Sequence, residues 1–163
     1  MRAAGIRVLD PAVAPYPLPL YVDGADEVDP ELRLIKGGGG AHAREKVFAT
    51  AAELFVCIVD ESKLVDQLGR GPVPLEVMPW AAAFVARRLT ALGATVAARP
   101  RFVTDNGNAV LDAVGLDLSD PEGLEVELDA IPGVVECGIF ARRRADVVPV
   151  SYTHLTLPTI YSV

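Results

Sequence analysis

Residues 34–59 read LIKGGGGAHAREKVFATAAELFVCIV, and the fold class follows from them. A short apolar segment, 32–35, reads as a strand that ends at Lys36. The run Gly37-Gly38-Gly39-Gly40 comes next. From Ala41 to Glu53 the composition turns to Ala, Arg, Glu and Lys, which are strong helix formers, and Val47, Ala51 and Leu54 recur at a spacing that places them on one face. Residues 55–59 (FVCIV) are continuously apolar, as expected of a strand in a parallel sheet covered on both faces. Strand, glycine loop, helix and strand in that order predict an α/β fold.

Working outward, residues 20–22 read as a short buried strand that stops at Asp23. Residues 11–19 carry four prolines and read as an extended connection, and 6–9 as a further short strand. On the other side the character changes at GRGPVP (69–74), a boundary. Beyond it, 75–78 reads as a strand and 80–92 as an amphipathic helix closed by Gly93. Trp80 and Phe84 on that helix read as core. Residues 95–98 and 109–114 read as strands around the turn Asp105-Asn106-Gly107-Asn108. Residues 121–130 read as a helix with Asp120 as N-cap, and 134–140 as a final strand. The expected organisation is a partial Rossmann-like parallel-sheet domain over 1–70, which carries the catalysis, and a smaller α+β, ferredoxin-like domain over 71–147. A tail over 148–163 follows, whose last segment, SYTHLTLPTIYSV, has no charged residue and no clean period, and reads as foreign to the fold.

Composition narrows the function. With 51% hydrophobic and 23% charged residues the chain can bury a core. A net charge of −7 argues against nucleic acid as a partner, and Arg142-Arg143-Arg144 is too short a basic cluster to reverse that. No apolar run reaches the ~20 residues of a membrane span. No leader pattern is visible, so a cytoplasmic protein is expected. Cys57 and Cys137 each lie inside an apolar run and read as reduced core cysteines, with no Cys/His spacing of a metal site.

Three polar clusters interrupt the apolar segments at their ends: Asp23-Gly24-Ala25-Asp26-Glu27, Lys36 with its glycines, and Asp60-Glu61-Ser62-Lys63. If the strands are parallel, all three meet on one rim, where open α/β sheets bind ligands. Glu45, early in the helix, faces that rim or solvent. A glycine loop entering a helix presents bare N–H groups to an anion, and a lysine adds a full charge. A cation, oriented donors and a carboxylate base together suit enolisation. Taken singly, each element has a plainer role: the glycines as a flexible loop, Asp23 and Asp26 as turn residues, Glu45 and Lys63 as solvated surface groups, His42 as a helix-start residue. The lysine precedes the glycines, so this is not a nucleotide-binding loop of the Walker type.

Six ordered blocks resemble the ribose-5-phosphate isomerase A family: YVDGADEVD (21–29), LIKGGGGAHAREK (34–46), FVCIVDESKLVDQLG (55–69), PVPLEVMPWA (72–81), VTDNGNAVLD (103–112) and AIPGVVECGIFARRRADVV (130–148). The resemblance spans roughly residues 5 to 149. It implies interconversion of ribose 5-phosphate and ribulose 5-phosphate through an enediolate. Glu45 matches the carboxylate that carries the proton between C1 and C2, and Asp23 the acid of ring opening and hydroxyl contacts. Asp26 matches a residue that contacts hydroxyls and supports the base. Lys36 matches the lysine that stabilises the enediolate, beside the backbone of Gly37, Gly38 and Gly39. Lys63 matches a lysine near the phosphate, with Asp60 next to it, and Gly24 and Ala25 complete the substrate contacts. The resemblance implies no metal and no organic cofactor, a sugar phosphate as partner, and a homodimer. It also implies an N-terminal strand–loop–helix unit and a C-terminal strand that this chain lacks, so weak activity or poor solubility is expected. A sugar-phosphate sensor and an amino-sugar phosphate deaminase are the other readings. A sensor has no need of Glu45, and a deaminase releases ammonia.

Overall fold

The computed structural model describes residues 5, 13–14, 16–151 and 159–162. Along the chain run β1 (Tyr21–Asp23), β2 (Glu27–Val28), β3 (Leu34–Ile35), α1 (His42–Ala51), β4 (Phe55–Cys57), β5 (Val59–Asp60), β6 (Val73–Val77), α2 (Ala82–Ala91), β7 (Thr95–Ala98), β8 (Ala109–Val114), α3 (Pro121–Asp129), β9 (Val134–Cys137), β10 (Ile139–Phe140), β11 (Val147–Ser151) and β12 (Thr159–Ser162).

The strands form separate sheets. In one, β1, β4 and β11 are parallel neighbours, β5 continues β4 alongside β11, and β12 closes the edge antiparallel to β11. A second, small antiparallel sheet has the order β10-β3-β2. Its Val28, Leu34 and Phe140 pack with Phe55, Cys57, Val59, Val148 and Val150 of the parallel sheet and with Ala49 of α1 in one core. The third sheet, β7-β8-β6-β9, is antiparallel. Its order and its β-α-β-β-α-β connectivity from β6 to β9 are ferredoxin-like, as expected. Val85 and Leu89 of α2 and Leu128 of α3 close its core, together with Ile35 and Ile139 of the small sheet. The two cores therefore meet across β3 and β10.

Several expectations are corrected. The helix buries His42, Ala43, Lys46 and Ala49, while Val47 is 58% exposed and Leu54 also faces outward. The polar ends of His42 and Lys46 find partners on the neighbouring module, so this helix turns a polar stripe inward. Residues 55–59 are not one strand covered on both sides. The chain breaks at Ile58, which is 51% exposed, and the expected buried strand 20–22 is Tyr21–Asp23 with Val22 49% exposed. Both side chains point to the sheet face away from the core. The strand expected at 32–35 shrinks to β3 because Leu32 takes a positive φ of 59°, and it runs antiparallel in the small sheet, outside the parallel one.

The expected strand 134–140 is two strands in two sheets. Gly138 is the junction: its N–H donates to Pro74 O, its carbonyl accepts from Lys36 N, and an added Cβ would lie 2.2 Å from Lys36 O. Nor is it the last strand, since β11 returns to the parallel sheet and β12 pairs with it. Trp80 is 83% exposed and Phe84 is partly exposed, so neither is core; Val85 and Leu89 fill that role on α2. In the tail, Thr159–Ser162 pairs in register with Val147–Val150, a strand absent from the sequence reading. The strand expected at 6–9 lies outside the described residues, as do positions 11, 12 and 15 of the proline-rich connection. Both cysteines are buried and unpaired, as expected. Among the described residues no helix is long and apolar enough to cross a membrane.

Candidate active site

β1 runs parallel to β4, so Asp23 leaves at the carboxyl end of the sheet. Both of its oxygens are occupied. Oδ1 accepts from Gly24 N at 2.8 Å, and Oδ2 accepts from Lys36 Nζ at 3.0 Å and from the Tyr21 hydroxyl. Tyr21 and Asp23 are two residues apart on a strand and share its face. The Tyr21 ring is held against Phe55 and Phe48, at centroid distances of 5.1 and 6.1 Å.

Lys36 enters from the antiparallel β3, yet its side chain still reaches the same rim. It is buried, donates to Gly24 O as well as to Asp23, and lies 3.1 Å from Glu45 Oε2. Glu45 sits in the first turn of α1, where the helix dipole favours a carboxylate. Its Oε2 is shielded from water and pairs with Lys36 by charge, with no hydrogen bond of good geometry from any described residue. The Glu45 side chain as a whole is only partly buried and lines the cleft, where its carboxylate can take a proton.

The glycines form the facing wall. Gly38 N donates to Asp26 Oδ2 at 2.7 Å, and Gly40 N to Gly37 O at 2.9 Å. At Gly37 φ is 109°, and an added Cβ would lie 2.6 Å from His42 Nδ1; at Gly38 it would lie 2.7 Å from Asp26 Oδ1. Glycine is therefore required at Gly37 for backbone and for space, and favoured at Gly38 for space alone. Gly37→Ala is expected to cost about 1–3 kcal/mol of stability from the strained φ alone and to disturb the site, readable as a lowered urea midpoint. An unchanged midpoint would mean that the loop tolerates a different path. His42, expected as a helix-start residue, is fully buried. Its Nε2 accepts from Glu76 N at 3.1 Å, and burial pushes its pKa down to about 4, so it serves as a neutral tie between α1 and β6.

The structure brings together residues 23–26, 36–39 and Glu45 around a cleft of about 240 Å³. It does not bring Asp60 and Lys63 to that cleft. Asp60 Oδ1 accepts from Ser62 N at 2.8 Å and caps a short 3₁₀ turn that contains Lys63. Electrostatics separate the two central carboxylates. Burial pushes Asp23 up, but the Tyr21 hydrogen bond and the Lys36 charge outweigh it and hold the carboxyl below its ordinary value. For Glu45 burial prevails over the pull of Lys36, with Asp23 and Asp26 adding to it, so its pKa is raised. Two carboxylates whose environments drive them apart in pKa are a mark of divided acid–base roles.

Tyr21 and Arg99 also touch the site and are missed in the sequence reading. Tyr21 could have been found from its i, i+2 spacing to Asp23; Arg99 lies 63 residues beyond Lys36 (99 − 36) with no local signal. Away from the cleft, ligand atoms of Asp129, Glu136 and Cys137 approach one another, but the Lys46 ammonium lies among them, 2.8 Å from Glu136 Oε1 and 3.8 Å from Cys137 Sγ, and supplies the positive charge there.

Residues 1–154 match the family model for ribose 5-phosphate isomerase A (phosphoriboisomerase A). The chain belongs to the ribose 5-phosphate isomerase A family. It is 54% identical over 147 residues to a protein of that name from Acidithiobacillus ferrooxidans, covering 90% of this chain and 67% of the relative. It is 57% identical over 147 residues to one from Bordetella avium, covering 90% and 65%. The chain thus spans about two thirds of the length of these curated family members. Among solved structures, the ribose 5-phosphate isomerase A of Neisseria gonorrhoeae superposes with a TM-score of 0.94 at 41% identity, over 99% of this chain and 71% of that one. A D-ribose-5-phosphate isomerase in complex with phospho-erythronic acid superposes with a TM-score of 0.93 at 38% identity, over 99% and 72%. The family resemblance and the two-part α/β architecture read from the sequence are both shown by these matches.

Proposed function

We propose that the cleft interconverts ribose 5-phosphate and ribulose 5-phosphate. The observation that carries this is the Lys36 ammonium between two carboxylates of opposite tendency, 3.0 Å from Asp23 Oδ2 and 3.1 Å from Glu45 Oε2, beside a loop of glycine N–H groups. The relative that holds phospho-erythronic acid, a four-carbon acid phosphate, supports the substrate class.

In this reading the open-chain aldose lies with C1 and C2 against Glu45. The Glu45 carboxylate takes the proton from C2. The C–H electron pair becomes the C1=C2 double bond, and the carbonyl π pair moves onto O1. Lys36 and the loop amides meet the charge that develops there, where preorganised donors are most effective. The O2 proton passes to O1, Glu45 returns its proton to C1, and the carbonyl is left at C2. Asp23, held ionised, accepts from sugar hydroxyls and keeps Lys36 in place, while Asp26 holds Gly38. Asp60, the cap of the 3₁₀ turn, and Lys63, its last residue, are assigned, by family resemblance, to the phosphate end.

The pH profile tests the base. Glu45 must be ionised to accept the C2 proton, and its folded pKa is raised, so kcat/KM is expected to fall as pH drops through a value above the ordinary glutamate range. The Lys36 charge opposes that rise, so Lys36→Met is expected to move the acid limb further up. An acid limb at or below the ordinary glutamate value in the parent would exclude Glu45 as the base.

A further inference from the structure

We propose that Arg99, on the ferredoxin-like module, is a positioning residue for the glycine loop: it holds the Gly38 carbonyl and thereby aims the Gly39 N–H into the cleft. This rests on the function proposed above and adds to it a residue outside the catalytic cluster.

Arg99 follows β7 and crosses to the other module. Its Nη1 donates to Gly38 O at 2.9 Å. Nε and Nη2 form a paired bridge to Asp112 Oδ2 and Oδ1, each at 2.7 Å, so the guanidinium plane is set by β8. Its third contact is the Phe102 ring, 5.6 Å from the guanidinium carbon, and Phe102 itself packs over Gly40, where an added Cβ would lie 2.4 Å from the ring. The hairpin that carries these groups is anchored from below. Buried Glu76 accepts from Thr104 Oγ1 at 2.9 Å and from Asn106 and Asn108 Nδ2 at 3.0 and 2.7 Å.

The consequence follows from peptide geometry. The Gly38 carbonyl and the Gly39 N–H belong to one planar trans unit and point in opposite directions. Arg99 lines a cavity that shares Asp26 and Gly38 with the cleft but does not line the cleft itself, so it sits on the far side of the loop. Gly38 N is already committed to Asp26 and Gly40 N to Gly37 O. Gly39 N–H, exposed at the cleft wall, remains for a substrate oxygen. A four-glycine run has no side chains with which to fix its own peptide planes, and Arg99 supplies that constraint from the neighbouring module.

The test compares the full chain with Arg99→Met and Arg99→Lys by three readouts: steady-state kinetics on ribose 5-phosphate, the thermal midpoint, and ¹⁵N relaxation of the Gly39 amide. Expected in Arg99→Met are a fall in kcat of roughly 10- to 100-fold with KM little changed, and a Gly39 amide that is ordered in the parent and mobile in the variant. Arg99→Lys, which can still donate to Gly38 O, recovers part of both. Parent-like kcat in Arg99→Met would overturn the proposal. So would a loss of kcat that tracks the thermal midpoint, raises KM equally and is not recovered by lysine, because that is a purely structural effect. If the parent itself does not isomerise the sugar, the functional reading fails separately, and the Gly39 amide decides alone: mobile in Arg99→Met upholds the role, ordered in both overturns it.

Discussion

Replacing Glu45 with glutamine is expected to lower kcat for ribose 5-phosphate isomerisation by roughly 10²- to 10⁴-fold, the range supplied by a positioned general base. Glutamine keeps the shape and cannot accept the C2 proton. The fold is expected to survive, and the linkage sign says why. Glu45 has a folded pKa above its ordinary value, so its charged form is less favourable in the native cleft than in the unfolded chain, and burial is the main cause. Removing that charge relieves a cost. Lys36 keeps Asp23 Oδ2 at 3.0 Å and the Gly24 carbonyl. The variant should therefore melt at or above the parent's midpoint while losing turnover, the pattern of a group kept for activity at the expense of stability. Binding of phospho-erythronic acid should persist, which separates an enzyme from a sensor. Equal kcat in parent and variant would remove Glu45 from the mechanism.

The largest expected effect on stability is at the adjacent residue. Lys46→Met should destabilise the chain by about 3–5 kcal/mol, the usual consequence of removing one member of a buried ionic group. Lys46 Nζ lies 3.0 Å from Glu125 Oε1 and 2.8 Å from Glu136 Oε1, and Lys46 and Glu125 are both buried. Glu125 cannot turn away to water, because its Oε2 accepts from Ala141 N at 3.0 Å and Arg142 N at 2.9 Å. Methionine would fill the lysine's volume and leave Glu125, Glu136 and, at 4.0 Å, Asp129 without their cation. For a chain of this size the thermal midpoint should fall by about 10 °C. Lys46→Met combined with Glu136→Gln should recover part of the loss, since one orphaned charge is then gone. A midpoint unchanged in the single variant would mean that water or the neighbouring backbone already screens the pair. Lys46 ties α1 to α3 and β9, so the helix that carries Glu45 rests on the second module.

Local signals account for what was legible in advance. The glycine run after Lys36 and the helix behind it are written in adjacent residues, and so are the Asp120 cap, whose side chain accepts from Gly123 N, and the Asp105–Asn108 turn between β7 and β8. The β-α-β-β-α-β order of the second module follows from hydrophobic period and turn chemistry, both properties of short windows. The ordered blocks were enough to place the chain in its family.

Tertiary structure alone decided the rest. Whether Lys36 lies on a parallel strand could not be read from LIK, because two residues of β3 pair equally well either way; β3 pairs antiparallel both with β2 just before it and with β10, more than a hundred residues later, and it still delivers Lys36 to Asp23. The helix face was misjudged for a related reason. Hydrophobic spacing favoured Val47, Ala51 and Leu54, but His42 and Lys46 are buried because Glu76, Glu125 and Glu136 wait for them on another module. The residues 134–140 look continuous in sequence and divide at Gly138 because Lys36 and Pro74 occupy the space where any side chain would go. Arg99 reaches Gly38 only because β8 and Asp112 aim it. Sequence alone determined the helices, most of the strands and the chemistry they carry, since these depend on neighbours within a few residues. Which elements face one another, and hence which charges are paired, which are shielded and which peptide plane is held, depends on contacts between distant segments, whose partners no local pattern encodes.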